Sequence, residues 1–156
     1  MSFSEKKPAI HKQYPKEVIL KDGTGITIRL TREEDAPKIF EMFQRFSEED
    51  RWFLDDDVSD RKVIDSRVRA INRQRFNSIV AQLGDRIIAL GLLKRERHGA
   101  QSHIGTIVIS VDPQFRENRL GTWVLLDLIN LAMEMELEKL MMSLVRDRDA
   151  LVIRGR

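Results

Sequence analysis

The sequence predicts an α/β fold in which helices flank a twisted mixed sheet. Residues 76–113 contain three successive apolar runs, separated by polar turns, which is the pattern of neighbouring antiparallel strands. A long apolar helix pattern and one further strand follow these runs. A strand–helix–strand order forms a right-handed parallel crossover, so one pair of strands should be parallel.

The composition is that of an ordinary globular domain and excludes several classes of function. The 156 residues fit one domain, and 42% of them are hydrophobic and 33% charged. The absence of cysteine excludes disulfides, thiol nucleophiles and cysteine-bound metals, and we expect no metal site. No apolar run is long enough to span a bilayer and no signal peptide is evident, which predicts a cytoplasmic protein without a membrane partner.

The charge pattern gives little support to nucleic-acid binding. The net charge is only +2, and aromatic residues, on which single-stranded bases would stack, make up 6% of the chain. A nucleic acid is therefore not an expected partner. A basic nucleic-acid-binding protein stays open only as a third alternative, which salt-sensitive binding would reveal.

The N-terminal part predicts an arm, a hairpin and a helix. Residues 1–16 are polar and aperiodic and should form a flexible arm before a single domain over 17–156. Asp22-Gly23 separates two β-rich runs within residues 17–30 and suits a hairpin turn. Residues 31–34 match a capping box at a helix start, although Asp35 and Pro37 also suit a first turn. The residues predicted to face the core from this helix are Ile39, Phe40, Met42, Phe43 and Phe46.

The middle of the chain predicts a second helix and the three strands. An acid-rich loop, residues 47–60, either attracts a cationic acceptor or remains solvated. Ser59 or Asp60 is expected to cap a helix that runs toward Asn72. Strands are then predicted over 76–83, 86–93 and 103–111, with a tight turn at Gly84-Asp85.

The C-terminal part predicts a mostly buried helix over 122–137 and a strand over 139–145. Asp127, Asn130, Glu134 and Glu138 recur at helical spacing and should form the exposed side of the helix. The other residues of this helix, including Trp123 and Leu126, are apolar and are expected to be buried.

The segment 107–126 carries the chemistry. A buried strand ends at Asp112-Pro113, a polar turn follows, and a helix starts directly after it. A helix N-terminus presents free backbone N–H groups and the positive end of the helix dipole, which together bind phosphate well. Gly121 removes a Cβ where an anion must approach the backbone, and Arg116 and Arg119 add positive charge.

This turn resembles the acetyl-CoA site of the GNAT acetyltransferases, which has the pattern Arg/Gln-x-x-Gly-x-Gly/Ala. The segments 18–29, 34–36 and 46–49 are also similar to the opening of the acetyltransferase domain in bacterial protein lysine acetyltransferases. The resemblance implies a GNAT-type sheet in which the turn amides bind the pyrophosphate of coenzyme A and the preceding strand end pairs with its pantetheine arm and thioester. Acetyl-CoA would lie where strand 103–111 separates from strand 139–145. The implied coenzyme-binding residues are Ile109, Ser110, Val111, Arg116, Glu117, Asn118, Arg119, Leu120, Gly121 and Thr122.

Three features depart from the family pattern. Arg119 occupies the position of the earlier glycine, where its side chain either crowds the pyrophosphate or points outward. Thr106 occupies the position at which relatives carry a general-base glutamate, and a hydroxyl cannot take a proton at neutral pH as a carboxylate does. The chain also ends early: the family's next helix would begin near Arg148 or Asp149, and the last strands would be missing. The exposed sheet edge predicts a homodimer, unless the chain is a truncated product of a longer gene.

The resemblance implies an N-acetyltransferase that moves an acetyl group from acetyl-CoA to a primary amine, on a small molecule or a protein lysine, by direct attack. The alternative is a catalytically impaired, CoA-binding regulatory or scaffold module. Thr106 is accordingly either a catalytic residue or an ordinary strand residue. The sequence does not indicate the acceptor.

Overall fold

The computed structural model describes residues 14–48, 57–73, 77–95, 104–134, 139–144 and 151–154. Its seven strands form one sheet in the order of the sequence. The strands are β1 (Lys16–Ile19), β2 (Gly25–Leu30), β3 (Asn77–Leu83), β4 (Arg86–Arg95), β5 (Ile104–Val111), β6 (Lys139–Leu144) and β7 (Leu151–Arg154). The helices are α1 (Ala36–Gln44), α2 (Arg61–Arg73) and α3 (Leu120–Glu134). Only β5 and β6 pair in parallel among these strands, which confirms the predicted mixed sheet and crossover.

The helices cover both faces of the sheet and create two apolar cores. Helix α3 packs with β4 and β5 on one face, while α1 and α2 pack on the other. A bulge in β4 sets this division: pairing with β3 passes from Ala89 to Ile87 and leaves Ile88 as the extra residue. Ile88 and Ala89 therefore both belong to the α3 core, whereas Ile87 and Leu90 belong to the other.

Gly91 allows α3 to lie directly on β4. A Cβ at Gly91 would come within 2.5 Å of Val124 Cγ1 and 2.9 Å of Leu128 Cδ1. Both side chains are at most 1% exposed, so neither has open space to move into. A side chain at position 91 would lift the helix from the sheet.

The capping box predicted over residues 31–34 is wrong, because α1 begins in a different way. Asp35 accepts hydrogen bonds from the Arg32 amide at 2.7 Å and from both terminal nitrogens of Arg29, at 2.7 and 2.8 Å. The Thr31 hydroxyl instead contacts the Ser78 hydroxyl on β3. Burial alone would raise the pKa of Asp35, but the hydrogen bonds from Arg29 and Arg32 outweigh it and lower that pKa. The chain thus starts α1 at the alternative site, with Pro37 in its first turn.

The hairpin and the second helix are confirmed. Gly23 has a φ of 90° in the turn between β1 and β2, and Gly84 has a φ of 59° between β3 and β4. The Asp60 carboxylate caps α2 by accepting from the Lys62 amide at 2.9 Å. The predicted core residues of α1 are buried, except for the partly buried Phe40. None of the helices in the described ranges has the length and hydropathy to cross a membrane.

Both ends of the described chain differ from the sequence expectation. Tyr14 and Lys16 were assigned to the arm, yet Lys16 opens β1 and both side chains bind Asp127 of α3. At the other end, residues 151–154 form β7 against β6, whereas a helix was expected to begin near Arg148 or Asp149. The run Leu151-Val152-Ile153 suits a strand better than a helix because two of its three residues are β-branched.

The orientation of α3 also corrects the sequence analysis. The helix begins at Leu120, two residues earlier than predicted. Asp127 is buried rather than exposed, since it binds the Tyr14 hydroxyl at 2.9 Å and Lys16 Nζ at 2.7 Å. Trp123 and Leu126, predicted to be buried, are 38% and 49% exposed. Partners distant in the sequence therefore decide which side of α3 faces solvent.

Candidate functional site

The turn between β5 and α3 adopts an unusual backbone conformation. A short 3-10 helix, Pro113–Phe115, follows β5, and a turn over 116–119 leads into α3. Glu117 and Arg119 have φ values of 66° and 64°, whereas Asn118 between them has no positive φ. Neighbouring residues of opposite hand direct their amides into one concave surface, which binds anions. The left-handed conformation costs a non-glycine residue about 1–2 kcal/mol.

Asp112 supports this turn from inside the protein. Its carboxylate is completely buried and accepts from the Gln114 amide at 2.9 Å, from Arg86 Nη2 at 3.2 Å and from Arg45 Nε. Arg45 also donates to the Ile87 carbonyl at 2.9 Å, next to the bulge in β4. Asp112 therefore connects the turn to α1 and β4. The Asp-Pro pair signalled the turn in the sequence, but Arg45 and Arg86 carry no such signal because they lie far from it along the chain.

Arg116 contacts the protein rather than lying freely at the mouth of the turn. Its Nε donates to the Val111 carbonyl at 3.2 Å, and its guanidinium lies 5.1 Å from the centre of the Phe46 ring. These contacts join the end of β5 to the end of α1. Arg116 thus stabilises the turn, and less of its charge is available to an anion than the sequence suggested.

Arg119 is solvent-exposed and points outward, where it lines a groove with the β1–β2 hairpin. The groove has a volume of about 270 Å³, and its lining includes Ile19, Lys21, Arg119, Thr122, Trp123 and Leu126. Asn118 holds the hairpin beside the turn, because its side-chain oxygen accepts from the Asp22 amide at 3.1 Å. The Arg119 side chain therefore lies on the groove side of the turn.

The end of β5 presents backbone groups on the side of β6. The Asp112 amide donates to the Ile88 carbonyl on β4 at 2.8 Å. Because successive residues of a strand point their amides to opposite sides, the Val111 amide points toward β6. The described pairs of β5 with β6 end at Ile109 and Leu144, so Val111 lies beyond them. Of the predicted strand residues, Ile109 and Ser110 are buried and Val111 is half-buried.

Thr106 lies apart from this strand end. It is half-buried and pairs with Lys94 and Met141 in the middle of the sheet. It lies five positions before Val111 along the strand, a distance of about 17 Å. The structure therefore brings the turn and Val111 together but does not bring Thr106 to them. Most of the acid-rich loop, residues 49–56, lies outside the described residues.

Tyr14, the only tyrosine of the chain, is partly buried and donates its hydroxyl proton to Asp127 at 2.9 Å. Burial raises its pKa well above the ordinary value, and the charge of Asp127 and the hydrogen bond to it raise the pKa further. The Tyr14 hydroxyl serves instead to anchor the start of β1 to α3.

The described strands form a mixed sheet with one parallel pair, and α3 is entered through a left-handed turn at the end of β5. This is the arrangement of the acyl-CoA N-acyltransferase fold. The sequence model of the acetyltransferase (GNAT) family matches residues 36–152. The chain belongs to this family, whose members are acetyl-CoA-dependent N-acetyltransferases. No protein with a curated description matches the chain.

Solved structures share the fold at low sequence identity. The GNAT domain of PAT from S. lividans has a TM-score of 0.68 at 15% identity, covering 88% of this chain and 80% of that domain. YncA from Salmonella typhimurium, solved with its cofactor acetyl-CoA, has a TM-score of 0.60 at 15% identity, with coverages of 75% and 68%. PaiA N-acetyltransferase from Thermoplasma acidophilum, in complex with coenzyme A, has a TM-score of 0.58 at 14% identity, with coverages of 75% and 77%.

Proposed function

We propose that the protein transfers an acetyl group from acetyl-CoA to a primary amine, on a small molecule or a protein lysine. The observation that carries this function is the turn over 116–119, which adopts a left-handed conformation at Arg119 although this residue is not a glycine. Strain of about 1–2 kcal/mol in a turn that opens onto a helix N-terminus is expected where the backbone serves a ligand.

The amides of residues 116–122 would bind the diphosphate of the coenzyme. Gly121 lies in the first turn of α3, where a Cβ would meet no protein atom closer than Val111 Cγ2, at 3.7 Å. The fold itself therefore tolerates a side chain at Gly121. A bulky side chain there would occupy the space of an anion at the helix N-terminus.

The chemistry would proceed by direct attack of a neutral amine on the thioester carbonyl. The Val111 amide points toward β6 and would donate a hydrogen bond to the oxygen that gains negative charge. As the C–N bond forms, the C–S bond breaks, coenzyme A leaves as the thiolate, and the amine gives up a proton to water. Strand β5 carries no carboxylate, so positioning and this hydrogen bond must supply most of the rate gain.

Thr106 supports the alternative function, a CoA-binding regulatory or scaffold module. No ionisable side chain stands at the position of the family's glutamate, and loss of a general base lowers a rate by about 10²–10⁴-fold. A protein of this second kind would bind coenzyme A without turnover.

A thiol-release assay with acetyl-CoA and a panel of amines separates the two functions. Turnover that disappears in Gly121→Trp and persists in the control Gly121→Ala supports the enzyme. Tight binding of coenzyme A without release of thiol for any amine supports the module. Calorimetry that detects no binding of coenzyme A by the wild-type protein contradicts both.

We further propose that the protein is a cytoplasmic homodimer. Strand β7 is the last strand of the described sheet, and an edge strand presents backbone groups that can pair with a second copy. Light scattering during size-exclusion chromatography should give twice the mass of the chain. A stable monomer would contradict the dimer without affecting the proposed reaction.

A further inference from the structure

Two consecutive residues at the end of α1 contact the segment that follows β5. Arg45 comes directly after the helix, and its Nε donates to the Asp112 carboxylate while its Nη2 donates to the Ile87 carbonyl at 2.9 Å. The ring of Phe46 lies 5.1 Å from the guanidinium of Arg116. The end of one helix is therefore joined both to β4 and to the residues that follow β5.

The peptide group that follows Val111 is held at both of its polar atoms. Its carbonyl oxygen accepts from Arg116 Nε at 3.2 Å, and its N–H, which belongs to Asp112, donates to the Ile88 carbonyl at 2.8 Å. A planar peptide group leaves only two soft torsions at each residue. The orientation of this group therefore largely sets the direction of the Val111 amide, which points toward β6.

Arg45 holds the chain on both sides of the hydrogen bond between Asp112 and Ile88. Ile88 is the extra residue of the bulge in β4, where the regular ladder is interrupted. Arg45 binds the carbonyl of the residue before it, Ile87, and also the side chain of the donor, Asp112. The guanidinium presents its donors in a rigid, planar fork, so these two contacts fix the end of β5 relative to the bulge.

Charge pairing alone does not account for Arg45. The Asp112 carboxylate is fully buried and requires a cation, but Arg86 already donates to it at 3.2 Å, and the Gln114 amide donates at 2.9 Å. The side chain of Arg86 is 38% exposed, whereas that of Arg45 is 23% exposed. A second and more buried arginine on the same carboxylate indicates a role in geometry rather than in neutralisation.

We propose that Arg45 is a positioning residue for acetyl transfer. By holding Asp112 and Ile87, it fixes the Val111 amide in the direction from which this amide donates to the thioester oxygen. The inference rests on the proposed function, because only a protein that transfers acetyl groups uses the amide in this way. Arg45 acts through the backbone and not on the coenzyme, so its removal should slow the chemical step and leave the binding of acetyl-CoA unchanged.

The thiol-release assay tests this role in Arg45→Ala, with acetyl-CoA varied and the fastest amine of the panel held at saturation. The kcat should fall by about 10- to 100-fold, because a misplacement of about 1 Å at a reacting group costs up to about 100-fold in rate. The KM for acetyl-CoA should stay within about twofold, since Asp112 still accepts from the Gln114 amide of the turn. Calorimetry with coenzyme A counts the folded binding sites, and kcat is expressed per site.

A conservative variant and a matched control accompany Arg45→Ala. Arg45→Lys keeps a charged donor for Asp112 and should recover kcat to within about threefold of the wild type. Arg29→Ala is the control, because Arg29 pairs with Asp35 at 2.7 Å and joins β2 to the start of the same helix. This pair is also largely buried, with side chains 13% and 8% exposed. The kcat per site of Arg29→Ala should stay within about twofold of the wild type.

Hydrogen exchange of the protein without ligand gives a readout that does not depend on activity. The Asp112 amide donates to Ile88, so its exchange reports how firmly the end of β5 is held. In Arg45→Ala this amide should exchange about tenfold faster relative to the amides of β3, as measured by NMR. In Arg29→Ala the same ratio should match that of the wild type.

The outcomes separate this inference from the proposed function. If the wild type releases thiol and Arg45→Ala lowers kcat per site no more than Arg29→Ala does, Arg45 has only a structural role and this inference alone fails. Unchanged exchange at Asp112 in Arg45→Ala, or a loss of affinity for coenzyme A as large as the loss of kcat, overturns it as well. If the wild type releases no thiol with any amine of the panel, the inference and the proposed transfer reaction fail together.

Discussion

Helices α2 and α3 begin in opposite ways. At α2, the Asp60 carboxylate accepts a hydrogen bond from the Lys62 amide at 2.9 Å, so the chain satisfies its own helix start. At α3, the corresponding residue is Arg119, whose carbonyl accepts from the Trp123 amide at 3.1 Å. Its guanidinium has no acceptor atom and cannot cap the helix. An acid caps the first helix start, whereas the residue before the second has no side-chain acceptor for the helix amides.

The comparison shows how the fold tolerates an open helix start. An arginine in place of a capping residue forgoes about 1 kcal/mol, and the left-handed conformation of Arg119 costs about as much again. Buried residues of α3 compensate for this loss, since Leu120, Val124 and Leu128 are at most 1% exposed. A mostly polar helix such as α2 has less burial to offset such a cost. Binding sites of this kind are therefore expected on the most buried helix of a domain.

The largest effect should come from removing the acid that supports the open start. Asp112→Ala leaves Arg45 and Arg86 without their shared carboxylate and frees the Gln114 amide. We expect a loss of about 3–5 kcal/mol in the free energy of unfolding, measured by urea denaturation. Asp65→Ala is the control, because the Arg61–Asp65 pair is exposed on α2 and should contribute no more than about 0.5 kcal/mol. Equal losses of unfolding free energy in both variants would show that Asp112 stabilises the fold no more than the exposed Asp65 does.

A smaller effect is expected when α3 is pushed away from the sheet. Gly91→Ala places a Cβ 2.5 Å from Val124 Cγ1, and overpacking of this kind should cost about 2 kcal/mol. Hydrogen exchange should show that amides of α3 lose more protection than those of α2, because only α3 lies on Gly91. Gly25→Ala serves as the control, since its Cβ meets only Ile19 Cδ1, at 3.7 Å. Uniform loss of protection in both helices would contradict a local effect.

The sequence predicted the order of the elements well because apolar periodicity and turn residues are local. The hairpin at Gly23, the Asp60 cap and the parallel crossover all follow from neighbouring residues. The turn that precedes α3 was also found locally, through Asp112-Pro113 and Gly121. The exact conformation of the turn, with two left-handed residues that are not glycine, was not predicted.

What the sequence could not show depends on contacts between distant residues. The sequence pattern predicts an exposed Asp127, but in the structure Tyr14 and Lys16, more than 110 positions away, bind its carboxylate. The role of Asp35 was likewise not visible in the sequence. It accepts hydrogen bonds from Arg29 and from the Arg32 amide at the start of α1, where a capping box over 31–34 was predicted. Strand β7 was missed because a four-residue run gives little periodicity of its own.

An effect of intermediate size is expected when the cap of α2 is removed. Asp60→Ala removes the acceptor of the Lys62 amide and should lower the free energy of unfolding by about 1 kcal/mol. Affinity for coenzyme A should not change, because α2 and α3 pack on opposite faces of the sheet. Denaturation and calorimetry on the same variant measure both quantities. A clear loss of coenzyme affinity would mean that the two helix starts are coupled.

The smallest change in stability should come from giving α3 the cap that it lacks. Asn tolerates the left-handed conformation of Arg119, and its side-chain oxygen would accept from the Gly121 or Thr122 amide. Arg119→Asn should therefore raise the free energy of unfolding by only about 0.3 kcal/mol above that of Arg119→Gly, which removes the same charge but supplies no acceptor. The Asn variant should also bind 4′-phosphopantetheine and dephospho-coenzyme A more weakly than the Gly variant, because its side chain competes with the ligand phosphate for the same amides. If the two variants bind these ligands equally well, the amides that begin α3 are not the groups that hold the phosphate.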